Sequence, residues 1–98
     1  MNNKKSMRQI QLLKQSIVPT LKKYGIERAG IFGSYGRGEQ KKSSDVDILI
    51  EYNGSLLKLV RIERELQLAL KKKVDLLTYK GVSPYLKKEI LAEERKIL

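Results

Sequence analysis

The three aspartates of this 98-residue chain stand in or beside apolar, strand-like runs, and their placement is the strongest constraint on its fold. Asp45 and Asp47 open the run 46–50, and Asp75 lies in the run 74–79. The other eight of the eleven acidic residues are glutamate. Aspartate is depleted from strands because its short side chain competes for backbone hydrogen bonds and packs poorly. The sequence therefore indicates that short, rigid carboxylates are needed at strand edges, and metal binding is the natural reason.

The spacing of the first two aspartates predicts a cation site. Residues two apart on a strand point to the same face, so the carboxylates of Asp45 and Asp47 lie side by side. At ~4 Å two such charges repel by about 4 kcal/mol at an effective dielectric constant of 20. A divalent cation reverses that repulsion, and an all-oxygen ligand set suits Mg²⁺ or Mn²⁺. If the strand of Asp75 is adjacent, the three carboxylates can hold two ions for an in-line displacement at phosphorus.

Each aspartate alone also has an ordinary structural interpretation. Asp45 could cap a turn after Ser43 and Ser44, and Asp75 could pair with a neighbouring lysine. These interpretations leave unexplained why Asp45 and Asp47 share one face.

Composition excludes several kinds of chemistry. With no cysteine and no histidine, the chain has no disulfide framework, thiolate metal site, thiol nucleophile or imidazole base. No apolar run approaches the ~20 residues of a membrane span, and no signal-peptide stretch follows the basic N-terminus, so we expect a cytoplasmic protein without membrane contact. The net charge of +10 suggests an anionic partner, although scattered lysine pairs are more often solvated helix faces.

Hydrophobic periodicity predicts one α/β domain over residues 1–98, with a small three-stranded mixed sheet flanked by about four helices. The first helix, 6–24, should be kinked or split by Pro19 and should end at Gly25. Strands are predicted at 28–32, 45–52 and 74–79, a turn or short helix at 33–38, and helices at 56–72 and 84–97. The predicted apolar faces of the last two helices consist of Leu56, Leu59, Val60, Leu66 and Leu70, and of Leu86, Ile90 and Ile97. Leu57 and Leu68 lie off the first of these faces, as a second contact surface or as ordinary exposed leucines.

The glycine-rich segment 33–38 ends the first predicted strand ten residues before the aspartate pair. Glycines let backbone N–H groups approach phosphate oxygens. Ser34 adds a hydroxyl donor, and Arg37 can bind phosphate through two N–H groups. The segment lacks the Gly-Lys-Ser/Thr of a P-loop, and its value depends on its position upstream of the aspartates.

Segments 31–39 and 44–50 together resemble the signature of the minimal nucleotidyltransferases of the DNA polymerase beta-like superfamily. The family pattern is an apolar residue, Gly-Ser, about ten residues, Asp-x-Asp, and a third Asp on a later strand. The resemblance covers nearly the whole chain. Gly36 departs from the pattern, which usually has alanine there, and is expected to loosen the turn. Larger relatives carry a second lobe that grips the acceptor, and we expect none in this single-domain chain.

The resemblance implies a function and its residues. Gly33 and Ser34 would hold the triphosphate of ATP, and Arg37 would neutralise charge on the phosphates. Asp45, Asp47 and Asp75 would be the catalytic carboxylates and would bind Mg²⁺, with Asp75 helping to deprotonate the acceptor hydroxyl. Small members of the family are typically antitoxins of HEPN ribonuclease toxins, and several transfer AMP to a tyrosine of the toxin. The partners implied are therefore ATP and a HEPN-type toxin, and homo-oligomerisation is left open.

Two other functions compete with this interpretation. The chain could be a binding module that neutralises its partner by contact, although a pure binder has no need of three aspartates. It could also be a basic nucleic-acid-binding protein, although the aspartates would then place negative charge against phosphates.

Overall fold

The computed structural model describes residues 3–98, with side chains described from Met7 onward. Its elements are α1 (Asn3–Lys23), β1 (Ala29–Phe32), α2 (Gly33–Arg37), β2 (Val46–Ile50), α3 (Leu56–Leu70), β3 (Val74–Thr78), α4 (Pro84–Glu93) and β4 (Arg95–Lys96). Over this range the four strands form one sheet in the order β3-β2-β1-β4. Strand β2 is parallel to β3, whereas β1 is antiparallel to β2 and β4. The predicted α/β fold, a mixed sheet with four helices, is confirmed, and the sheet has one short strand more than predicted.

The two faces of the sheet carry different cores. Side chains alternate between faces along a strand, so Val46, Ile48 and Ile50 face one side and Leu49 the other. The first face packs against buried residues of α1 and α3, among them Leu21 and Leu66. On the opposite face a smaller cluster joins the sheet to α4 and the loop before it (Phe32, Leu49, Tyr79, Val82 and Ile90). By the same alternation Asp45 and Asp47 lie on the α4 side.

Helix α1 continues through Pro19, so the proline does not split it, and the predicted alternative of a kink stays a prediction. An interior proline removes one backbone hydrogen bond and costs about 3 kcal/mol or more. The neighbouring turns offset that loss, because Ile17 and Leu21 are completely buried on either side of it. The helix ends as predicted, since Gly25 has a φ of 75°, where a residue without Cβ is favoured.

The predicted apolar face of α3 is wrong at two positions. Leu56 and Val60 are 75% and 54% exposed, while Ile62, absent from the predicted face, is completely buried. The buried stripe runs through positions 59, 62, 66 and 70, which follow the helical period and turn Val60 toward solvent. Leu57 and Leu68, at 82% and 71% exposure, are exposed leucines.

The C-terminal segment also differs from its prediction. Helix α4 begins as expected, with Ser83 accepting a hydrogen bond from the Tyr85 N–H and Pro84 in the first turn, but it ends at Glu93. Residues Arg95–Lys96 instead pair with β1. Ile97 therefore reaches the core from the sheet and is 3% exposed, whereas Leu86, on the predicted helical stripe, is 52% exposed. A helical pattern could not distinguish a last turn from a two-residue strand.

The open edge of β3 is covered by side chains of α3. The Val74 N–H donates to Oε1 of Gln67 at 3.3 Å, and the Leu76 N–H donates to Oε1 of Glu63 at 3.2 Å. Glu63 and Gln67 are four residues apart and so lie on one face of the helix. Because unpaired strand edges template pairing with other chains, these contacts protect the edge nearest the aspartates.

Replacing Ile97 tests the reassigned C-terminus. We expect Ile97→Ala to lower the free energy of unfolding by about 2–5 kcal/mol, as loss of a buried isoleucine side chain does. Leu86→Ala should change it by less than about 0.5 kcal/mol, because that side chain is on the surface. Urea denaturation followed by circular dichroism measures both, and equal losses would contradict the strand assignment.

Candidate active site

The parallel pairing of β2 with β3 brings two of the predicted aspartates together. In its register Asp47 is the partner of Asp75, so their side chains leave the sheet side by side on the same face. Asp47 is half-buried and Asp75 is exposed. The sequence predicted this proximity only on the condition that the two strands are neighbours, and the sheet order meets that condition.

Asp45 lies just before β2, on the same side of the sheet as Asp47. The next residue is hydrogen-bonded into the sheet, the Val46 N–H donating to the Lys73 carbonyl at 3.0 Å. The Lys73 ammonium lies 3.9 Å from Oδ2 of Asp45, a loose pair in which both side chains are largely exposed. Such surface pairs contribute little, typically below about 1 kcal/mol, so Lys73 does not neutralise the cluster.

Gly33 forms the wall of the cluster on the β1 side. Phe32, the last residue of β1, is the register partner of Asp47, and Gly33 follows it at the first position of α2. A Cβ on Gly33 would lie 2.0 Å from Oδ2 of Asp47, and its φ of 70° is also unfavourable for other residues. Glycine is thus required twice here, and its absent side chain brings the backbone against the carboxylate.

Burial and neighbouring acids disfavour the charged form of Asp47. Desolvation, the charge of Asp75, a hydrogen bond that the two carboxyl groups can share, and the more distant Asp45 and Glu93 raise the pKa of Asp47 to about 6. Burial and repulsion among closely spaced carboxylates both raise the pKa of a carboxyl group in this way. The cluster therefore concentrates negative charge that only a cation or a proton can relieve.

The donor set fits a hard divalent cation such as Mg²⁺. Asp45, Asp47 and Asp75 supply only carboxylate oxygens, the ligands that Mg²⁺ and Mn²⁺ prefer. Within residues 7–98, no three acidic side chains stand ready-made in a metal-holding arrangement.

Ser34 and Arg37 both lie on α2, the short helix that follows β1. Ser34 is partly buried, and none of the hydrogen bonds among the described side chains uses its hydroxyl. The guanidinium of Arg37 is held by two carboxylates, through Nε to Glu39 at 3.2 Å and through Nη1 to Glu93 at 3.0 Å. These hydrogen bonds, that to Glu93 first, raise the pKa of Arg37.

Glu93 is a residue of the site that sequence reasoning missed. Its Oε1 accepts a hydrogen bond from the Gly33 N–H at 3.1 Å, while its Oε2 takes the bond from Arg37. It lies 60 residues from Gly33 in the chain, at the last position of α4. No local pattern points to it, because a glutamate on a polar helix end is ordinary in sequence.

Gly36 has a packing role that the sequence did not predict. A Cβ at this position would lie 2.4 Å from the backbone carbonyl oxygen of Glu93 and 3.2 Å from that of Ile31. The Arg95 Nε also donates to the Gly36 carbonyl at 3.0 Å. Gly36 therefore lets the end of α4 press directly onto α2.

Comparison with protein families agrees with this geometry. A family model described as polymerase beta, nucleotidyltransferase matches residues 15–98. The chain belongs to this nucleotidyltransferase family. Among relatives with assigned names is MJ0435 of Methanocaldococcus jannaschii, whose assignment as a protein adenylyltransferase is provisional. It is 50% identical over 91 residues, which cover 91% of this chain and 98% of the relative.

Solved structures share the fold of this nucleotidyltransferase. A toxin–antitoxin crystal structure with AMP-PNP matches with a TM-score of 0.78 and 22% identity, covering 87% of this chain and 72% of the other. The structure of a tri-AMPylated Shewanella oneidensis HEPN toxin in complex with its MNT antitoxin matches with a TM-score of 0.73 and 21% identity, covering 90% of this chain and 71% of the other.

Among the described residues, no helix is both long and apolar enough to cross a membrane.

The raised pKa of Asp47 predicts a pH-dependent stability. Because its pKa in the folded protein, about 6, exceeds the ordinary 3.8, the folded state loses stability as the pH rises through this interval. Asp47→Asn should therefore increase the free energy of unfolding by about 1–2 kcal/mol at pH 8, a value discounted for partial exposure. Near pH 4 the gain should vanish.

Denaturant unfolding in metal-free buffer from pH 4 to pH 8 measures this difference. Glu89→Gln, a neutralised exposed glutamate on α4, serves as the matched control and should leave the pH profile unchanged. A stabilisation by Asp47→Asn that is equal at all pH values would contradict the electrostatic origin.

Proposed function

We propose that this nucleotidyltransferase is a protein adenylyltransferase, which transfers AMP from ATP to a hydroxyl group of a HEPN-type toxin and thereby acts as its antitoxin. The observation that carries the proposal is the register pair of Asp47 and Asp75 against the backbone of Gly33. Support comes from the match to MJ0435 over nearly the full length of both chains. The AMPylated HEPN toxin in the S. oneidensis complex motivates the choice of acceptor, and tyrosine is the acceptor residue that we propose.

Each site residue has a role in this reaction. The acceptor oxygen attacks the α-phosphorus of ATP, a new P–O bond forms, and the bond to the pyrophosphate leaving group breaks. Asp75, the most exposed of the three aspartates, is open to the incoming acceptor and would take the hydroxyl proton. The Gly33 N–H, the Ser34 hydroxyl and the Arg37 guanidinium would bind and orient the phosphates.

Asp45, Asp47 and Asp75 would hold Mg²⁺, and two ions would fit the proposed chemistry. When bound, Mg²⁺ stabilises the charge that develops on the attacking and leaving oxygens. The carboxylates would fix its position, because β2 and β3 hold Asp47 and Asp75 in adjacent register positions. Burial and the clustered negative charge raise the pKa of Asp47, and the same clustered charge would favour a bound cation.

Neutralisation by contact alone is the second candidate function. It is favoured by the large apolar side chains that α3 leaves in solvent, of which Leu57, Leu56 and Leu68 are the most exposed, in that order. A complex could form through such side chains whether or not AMP is transferred.

Intact mass spectrometry separates the two functions. The purified chain is mixed with Mg²⁺, ATP and the HEPN protein encoded beside it, and the masses of both proteins are read. We expect one or more AMP groups on the partner. Asp47→Ala should slow this transfer by about a hundredfold or more, because a lost metal carboxylate removes several kcal/mol of transition-state stabilisation.

Glu27→Ala is the matched control for that variant, since Glu27 is an exposed acid before the opposite end of β1. It should transfer AMP at the normal rate. Two unmodified proteins that still co-elute would refute the transferase and support neutralisation by contact.

Ser34→Ala tests the phosphate-binding role separately from partner binding. We expect the KM for ATP to rise by about tenfold, since one hydrogen bond to a charged phosphate is worth about 1.5–3 kcal/mol at most. Co-elution with the HEPN protein should be unaffected. Equal losses of nucleotide use and partner binding would assign Ser34 a structural role instead.

A further inference from the structure

The carboxylate of Glu93 occupies two donors of the glycine-rich segment at once. One oxygen accepts from the Gly33 N–H at 3.1 Å and the other from the Arg37 guanidinium at 3.0 Å. A phosphate group would use the same donors, because both anions present oxygens to a backbone N–H and a guanidinium. One N–H cannot serve both anions fully, so Glu93 and a phosphate compete for it.

Packing holds Glu93 in this position. The backbone carbonyl of Glu93 lies where a Cβ of residue 36, in α2, would be. The Nε of Arg95, just after α4, also donates a hydrogen bond to the Gly36 carbonyl of α2. The side chain of Glu93 is only 21% exposed. The contact is therefore formed by the end of α4 as a unit, and it depends on glycine at position 36.

The charge of Glu93 also counts against a second anion. Glu93 adds a fourth carboxylate to those of Asp45, Asp47 and Asp75. It also accepts a hydrogen bond from Nη1 of the Arg37 guanidinium. An open depression of about 560 Å³, lined by α2 and the end of α4, lies directly beside the contact. Glu93 is itself one of the residues that line this depression.

We propose that Glu93 is an internal competitor of the nucleotide, whose carboxylate holds the phosphate donors Gly33 and Arg37 and must be displaced when the triphosphate binds. The inference rests on the proposed function, because it assumes that the phosphates of ATP bind at these two donors. The position of the C-terminal end of α4, which carries Glu93, would then determine the affinity for the nucleotide.

Removing the charge of Glu93 should therefore strengthen nucleotide binding. We expect Glu93→Gln to lower the Kd for α,β-methylene-ATP with Mg²⁺ by about tenfold in isothermal titration calorimetry, the scale of one charge-assisted hydrogen bond at a partly exposed site. Glu89→Gln makes the same change of net charge one turn earlier on α4 and should leave the Kd unchanged. A residue with a merely structural role would show the opposite result, with weaker binding and a lower Tm.

Gly36→Ala provides an independent test, because an added methyl group must push the end of α4 away from α2. If this variant folds, its nucleotide affinity should rise in the same direction as that of Glu93→Gln. If it does not fold, Glu93→Gln alone decides the question. If the wild-type chain binds the nucleotide and Glu93→Gln has the same or a higher Kd, the competition is overturned. The proposed function is unaffected by that result.

Failure of the proposed function has a different signature. A wild-type chain that binds the nucleotide but transfers no AMP to its partner would refute the transferase while the competition at Glu93 could still be measured. Absence of nucleotide binding by wild type and both variants would overturn both proposals.

Discussion

The register of one parallel strand pair is the constraint on which the site depends. Pairing β2 with β3 so that Asp47 meets Asp75 fixes two carboxylates on one face of the sheet. Slipping that register by a single residue would turn one aspartate toward the opposite face, and Val46 or Ile48 would leave the core with it. Burial of the apolar side chains on one face of the sheet therefore fixes the positions of the aspartates on the other face. Completely buried side chains behind the sheet determine where the aspartates in front of it lie.

This arrangement places the site in conflict with stability. Repulsion and burial disfavour the charged form of Asp47, and Gly33 gives up all side-chain packing to make room for it. The opposing contribution is spatially separate, in the α1 and α3 core and in the side chains of Glu63 and Gln67 that cover the edge of β3. A small domain can maintain an unfavourable cluster at one sheet end when the other face is close-packed.

Features that depend on a local sequence pattern could be predicted from the sequence. Features that depend on contacts between distant residues could be seen only in the folded structure. Alternation located β2, and the glycine and aspartate motifs identified the family and the residues that β1, α2 and β2 bring together. Helical periodicity failed where packing decides, at Leu56 and Val60 of α3 and in the two-residue strand that carries Ile97 inward. Local patterns could not find Glu93, whose contact with Gly33 spans 60 residues, or the packing role of Gly36, whose neighbour Glu93 belongs to another helix. The roles of the six predicted site residues stay predictions (Gly33, Ser34, Arg37, Asp45, Asp47 and Asp75).

The site also changes what the net charge of +10 means. A basic surface attracts an anionic nucleotide over about a Debye length, some 8–10 Å at physiological salt. At the candidate site the local charge is different, since Asp45, Asp75 and Glu93 all act on Asp47, and Glu93 holds the Gly33 N–H. Attraction to the surface can raise the rate of encounter. If the proposed function and the proposed competition hold, affinity would depend on whether a cation neutralises the aspartates and whether Glu93 releases its two donors. The net charge of the chain would then be a poor guide to nucleotide occupancy.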